Sequence, residues 1–122
     1  MKIRVYYEDT DAGGIVYHSN YLNFFERARS ELFFKKGINP FLGDEHFVAR
    51  KIGISFKKPA RLGDEIEIKT TLKELKKASC TLLQMAYKDD VLLAVADINL
   101  CFTRALKPAK IPERYLKVLN DL

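Results

Sequence analysis

The 122-residue sequence contains two cysteines, two histidines, four prolines, six glycines and no tryptophan. Two cysteines cannot make a disulfide framework, and Cys80 and Cys101 lack metal-type spacing, so each reads as a small apolar strand residue. Scarce Pro and Gly exclude collagen-like and low-complexity architectures. No segment approaches the roughly 18 consecutive apolar residues of a membrane span. The opening Lys2-Ile3-Arg4-Val5 has neither the apolar stretch nor the small-residue cleavage site of a secretory signal, so a cytoplasmic protein is expected. Also missing are Gly-x-Gly-x-x-Gly, a Walker-type loop and a serine in a nucleophile-elbow context, and His46 stands without a partner in sequence. The expectation is chemistry with no metal and no cofactor.

What is present suits one ordinary globular domain over residues 1–122, since 48% hydrophobic and 30% charged residues give enough apolar surface to offset ordering entropy. The net charge of +5 points to an anionic partner without choosing its kind. Basic residues are scattered among strands and turns, without the interleaved basic and aromatic surface of a nucleic-acid platform, so no nucleic-acid partner is expected.

Hydrophobic periodicity changes along the chain. Residues 2–8 alternate, with Ile3, Val5 and Tyr7 on one face, as in a half-buried strand. From about His18, Tyr21, Phe24, Phe25, Ala28 and Leu32 recur at steps of three and four, predicting one amphipathic helix of four to five turns. Ser19 or Asn20 can cap its start, and Gly37 suits its end. Strands are predicted over 47–56, 65–75, 79–88 and 91–103, separated by turn residues such as Asp89-Asp90. The fold class is therefore α+β, an antiparallel sheet with one long helix on one face. Leu83, Met85 and Tyr87 on one strand, and Val91, Leu93 and Val95 on the next, make the other face apolar too. A second subunit would bury that face, unless the tail with Ile111, Tyr115, Leu116 and Leu119 packs back over it.

The tract Asp9-Thr10-Asp11-Ala12-Gly13-Gly14-Ile15-Val16-Tyr17-His18 concentrates the chemistry. A helix start offers unpaired N–H groups and positive potential that can polarise a carbonyl, and a nearby carboxylate can attack or activate water. Taken by composition alone, Asp9 and Asp11 can equally be turn-forming side chains.

The longer run from Tyr7 to Tyr21, followed by Phe25-Glu26-Arg27-Ala28-Arg29, resembles the signature of the 4-hydroxybenzoyl-CoA thioesterase family of hotdog proteins, and within it the YbgC-type branch associated with the Tol–Pal envelope system. Pro59-Ala60-Arg61-Leu62-Gly63-Asp64 is similar to that family's turn between its second and third strands. The resemblance covers essentially the whole chain. It implies a hotdog fold, a five-stranded antiparallel sheet wrapped around one long helix, and acyl-CoA thioester hydrolysis. It implies that Asp11 is the catalytic carboxylate, that the His18 backbone N–H faces the thioester oxygen, and that Tyr17 lines the acyl site. Asp9, in this reading, holds the loop. Lys76 and Lys77 stand at a turn where the family often carries basic residues near the nucleotide, and Arg104, Lys107 and Lys110 are further candidates for the CoA phosphates. The expected partners are acyl-CoA, a second copy in a homodimer or homotetramer, and acyl carrier protein. A non-hydrolytic acyl-binding module on the same fold is the alternative.

Overall fold

The computed structural model describes residues 1–122. Seven strands form one antiparallel sheet: β1 (Lys2–Arg4), β2 (Phe41–Leu42), β3 (Glu45–Phe56), β4 (Glu65–Leu75), β5 (Ser79–Lys88), β6 (Val91–Arg104) and β7 (Lys107–Pro108). Their spatial order is β1-β4-β5-β6-β3-β2, with β7 beside the end of β6. Two helices accompany them, α1 (Asn20–Phe34) and α2 (Glu113–Asn120). Strict alternation sets β4 and β5 at the bounds the sequence predicts. The five expected strands are there, and β2 and β7 are additions of two residues each, too short to leave a periodic trace.

The sheet curls around α1, which is the hotdog arrangement. Tyr21, Phe24, Phe25, Ala28 and Phe33 of α1 enter one core with Ile66 and Ile68 of β4, Leu82 and Ala86 of β5, and Ala94, Ala96 and Ile98 of β6. Ala86 faces Ala94 across the strands, so the floor under α1 is made of small side chains that leave room for the two phenylalanine rings. Gln84 is wholly buried in this floor, where its Nε2 donates to the Phe25 carbonyl and to Thr70 Oγ1 while its Oε1 accepts from Arg29 Nη1. Both donors and the acceptor oxygen are engaged, and the bonds fix the helix to the sheet. Burial pulls the Arg29 guanidinium below its ordinary value, against the pull of Glu26.

Several expectations need correction. The first strand ends at Arg4 because its partner β4 begins at Glu65, and the chain then makes a 3₁₀ turn over Tyr7–Asp9 that leaves Tyr7 82% exposed. Neither Ser19 nor Asn20 caps α1: the Asn20 Nδ2 donates to Asp9, and its Oδ1 accepts from Asn23 Nδ2 at 2.8 Å rather than from a backbone N–H. The helix ends at Phe34, and the turn behind it closes at Gly37 with φ +71°, where the Gly37 N–H donates to Phe34 and the Ile38 N–H to Phe33. On β6 the bulge opposite Ala86 and Tyr87 turns Leu93 into the core, so the outer face carries Leu92 and Val95 rather than the sequence-predicted Val91-Leu93-Val95 set.

The tail forms α2, and it does not cover the outer face. The Tyr115 ring lies 5.4 Å from Phe33, 5.6 Å from Phe47 and 5.6 Å from Phe102, and its hydroxyl donates to the Asn39 carbonyl at 2.9 Å. It therefore closes the end of the inner core beside α1. Leu83, Met85, Tyr87 and Val95 stay half-buried on the outer face.

Glu45 ties this tail to the sheet by accepting hydrogen bonds from Arg114 of α2 and Arg104 of β6. Those bonds, Arg114 first, hold its carboxyl below the usual range. A depressed carboxyl contributes stability above its unfolded value of about 4.3, and that contribution is lost as pH falls through the lower folded value. Glu45→Gln is thus expected to be less stable than the parent at pH 7, with the gap closing below about pH 4. Urea titrations of both proteins across that range check it, and a gap independent of pH would refute it.

Candidate active site

The loop between β1 and α1 is held by backbone pairing to the Pro59–Asp64 turn. The Val16 N–H donates to the Ala60 carbonyl at 2.9 Å, and Ile15 bridges Arg61. That turn is itself closed by the Arg61 N–H on Asp64 Oδ2 at 2.8 Å. Burial alone would push the Asp64 carboxyl up, but Lys88 and the Arg61 amide hold it below its ordinary value. The two tracts the sequence singled out separately are thus one structural unit.

Asp9 and Asp11 have different fates within the loop. Asp9 is 6% exposed, with Oδ2 accepting from the Tyr6 N–H at 2.8 Å and Oδ1 from Asn20 Nδ2 at 2.6 Å, while its carbonyl accepts from the Tyr17 N–H at 2.9 Å. Both carboxylate oxygens are committed to holding the loop against the start of α1. Asp11 is half-buried, and only Oδ1 is engaged, by the N–H groups of Gly13 at 2.8 Å and Ile15 at 3.4 Å. Its Oδ2 has no partner in the chain. A Cβ on residue 13 would meet Asp11 Oδ1 at 3.1 Å, so glycine lets the backbone approach the carboxylate closely enough to orient it.

Asp11 lines a cavity of about 410 Å³ together with Ile15, Val16, His18, Tyr21, Phe56, Lys57, Lys58 and Pro59. His18 precedes α1, and neither its backbone N–H nor that of Ser19 has an acceptor within the chain. Unpaired amides at a helix start carry partial positive charge, suited to a carbonyl oxygen gaining negative charge. The His18 ring lies 4.4 Å from Tyr17 and 6.3 Å from Phe56. No three His, Cys, Asp or Glu side chains converge in a way that assigns a residue to a metal.

The structure brings Asp11 and His18 together and rearranges the rest. Tyr17 is 49% exposed and its ring lies tilted against that of His18 outside the cavity, whose aromatic wall is made by Tyr21 and Phe56. Burial pushes the Tyr21 hydroxyl up from its usual value. Lys76 and Lys77 lie in the β4–β5 turn, at the far end of an 11-residue strand from the Arg61 turn that holds the loop. That strand is about 36 Å long, so these lysines cannot contact the Asp11 cavity within one chain. Lys57 and Lys58, which follow β3 directly, line it instead. Their signal was position: they lie between the end of β3 and the Pro59–Asp64 turn that pairs with the Asp11 loop.

Residues 13–95 match the model of the Thioesterase superfamily. The chain belongs to this family. It is therefore a member of a family of thioester hydrolases. The chain is similar to the acyl-CoA thioesterase YbgC of Helicobacter pylori, 52% identical over 87 residues that cover 71% of this chain and 65% of that protein. The match thus spans a little under two thirds of that relative's length. It is 38% identical over 117 residues to the acyl-CoA thioester hydrolase YbgC of Escherichia coli, covering 91% of this chain and 87% of that one. A crystal structure from Aquifex aeolicus superposes with a TM-score of 0.92 at 33% identity, over 98% of this chain and 97% of the other.

Proposed function

We propose that the protein hydrolyses acyl-CoA thioesters to free acid and CoA, as a single domain over residues 1–122 and without a metal or redox cofactor. The observation that carries the proposal is one cavity shared by a carboxylate with a free oxygen, Asp11, and by the unpaired start of α1 at His18. The thioester carbonyl oxygen accepts from the His18 N–H, and the helix dipole favours the charge it gains. Asp11 Oδ2 supplies the attack in one of two ways. As nucleophile it forms an acyl anhydride that water then cleaves; as general base it takes a proton from the water that adds to the carbonyl. In either route the CoA thiolate leaves, and the C–S bond is replaced by the C–O bond of the acid.

CoA is strongly anionic, and Lys57 and Lys58 have no carboxylate within ion-pair distance. They are the proposed phosphate contacts at the cavity, whereas Lys76 and Lys77 reach a CoA only from a second chain. Release of free thiol from a panel of acyl-CoAs tests the activity, and binding without turnover on every substrate would favour the non-hydrolytic module. With the best substrate, the double variant Lys57→Ala/Lys58→Ala is expected to raise KM about tenfold and leave kcat within about twofold, each exposed charge contributing roughly 1 kcal/mol or less. An unchanged KM would remove these lysines from the site.

A homo-oligomer, dimer or tetramer, is part of the same proposal. Beyond its short pairing with β2, strand β3 has no neighbour on its outer side, and it exposes Ile52 and Phe56 there. Phe56 is also a wall of the cavity, so a second chain joined along this edge would lie against the site. Acyl carrier protein as an acyl donor and a cytoplasmic location complete the reading. No helix is long and apolar enough to cross a membrane.

A further inference from the structure

Two hairpin tips meet at the end of the sheet remote from Asp11. The β6–β7 turn places Ala105 at φ +51° and Leu106 at φ +63°, a left-handed pair that ordinarily calls for Asn and Gly. Leu106 is 75% exposed, among the most exposed large apolar side chains in the chain. The Ala105 N–H donates to the Asp44 carbonyl at 3.0 Å, which sets this turn beside the β2–β3 turn, where Leu42 is 55% exposed. Arg104 and Lys107 pair across the β6–β7 turn, Lys110 and Arg114 lie beyond it beside Glu113, and Asp44 stands at the neighbouring tip. Glu45 neutralises part of the arginine charge, but neither Lys107 nor Lys110 has an acidic partner within ion-pair distance. A strained turn that spends its tip on an exposed leucine, near two lysines without an ion-pair partner, has no packing reason in the chain.

We propose that this end of the molecule docks peripherally on an anionic bilayer surface, with Leu106 and Leu42 entering the headgroup boundary and Lys107 and Lys110 held by lipid phosphates. Apolar tips beside an excess of basic over acidic side chains match the chemistry of that interface, since burial of the leucines and attraction to anionic headgroups act together. An acidic protein would use the lysines but leave the leucine tips in water, and a second copy of this chain would bring like charges together. The site lies apart from the Asp11 cavity and does not depend on its chemistry.

Co-sedimentation with vesicles tests the proposal, using phosphatidylcholine alone and phosphatidylcholine with about one third phosphatidylglycerol, at low and physiological salt. The protein is expected to bind the anionic vesicles only, and less at higher salt. Leu106→Asn suits the left-handed position and keeps the fold, and it should weaken binding about tenfold. Lys107→Gln/Lys110→Gln should weaken it about thirtyfold, near fivefold for each lysine. Unchanged thermal melting of each variant shows that folding is not the cause. The proposal fails if the parent does not bind anionic vesicles, if it binds neutral ones equally, or if both variants bind like the parent. It also fails if Leu106→Asn instead dissociates an oligomer by sedimentation, or if an acidic carrier protein is bound while vesicles are not.

Discussion

Asp11→Asn is expected to lower acyl-CoA turnover by roughly a thousandfold, the scale of losing a nucleophile or general base, while thermal stability stays close to the parent's. The asparagine side-chain oxygen can still accept from the Gly13 N–H, so the loop keeps its shape. What disappears is the negative charge on the oxygen that faces the cavity with no partner. Because the substitution is isosteric and the structural bonds fall on the other oxygen, activity and folding should separate cleanly. Steady-state thiol release and a melting curve on the same preparation check both halves. Turnover within about twofold of the parent would end the assignment of Asp11, and a large fall in melting temperature would make its role structural.

Asp9→Ala should do the reverse in emphasis. Removing a carboxylate that is 6% exposed strands the Tyr6 N–H and the Asn20 amide, two bonds to a charged acceptor worth about 1.5–3 kcal/mol each. The expected loss is about 3 kcal/mol or more, a drop of roughly 12 °C in melting temperature for a domain of this size. Activity should also fall, by roughly a hundredfold, because a shift near 1 Å of the helix start relative to Asp11 misplaces the carbonyl site. Asp9→Asn retains one acceptor oxygen and should lie between the parent and Asp9→Ala on both measures. A variant Asp9→Ala that melts within about 2 °C of the parent would show that the loop is held elsewhere.

These two aspartates, two residues apart, mark where reading along the chain succeeds and where it stops. Both are acidic, both sit before a glycine pair, and composition gives each the same possible roles. The assignment of Asp9 to the loop and Asp11 to the chemistry came from a resemblance in sequence. The structure supplies a physical reason consistent with it, because one carboxylate is saturated in the interior and the other keeps an oxygen free. The basic residues went differently. Lys57-Lys58 and Lys76-Lys77 are equivalent as sequence, and only the path of β4, about 36 Å between its ends, separates the pair at the cavity from the pair remote from it. The tail shows the same limit, since spacing makes Tyr115 and Leu119 apolar without saying which face they cover.

The sequence by itself determined the periodic elements and the turn chemistry: α1, the alternating strands β4 and β5, the break at Gly37 and the loop tract before the helix. These follow from local rules, in which the period of apolar residues and the conformations open to Gly and Pro leave few choices. Tertiary structure alone decided what depends on distance across the fold. It paired the Asp11 loop with the Ala60 turn, used Asn20 on Asp9 instead of as a cap, turned Leu93 inward through a bulge and brought Lys57 rather than Lys76 to the cavity. Each of these is set by partners far apart in the chain, and a one-residue shift of register or a single unpaired N–H is enough to choose between alternatives that look identical in sequence.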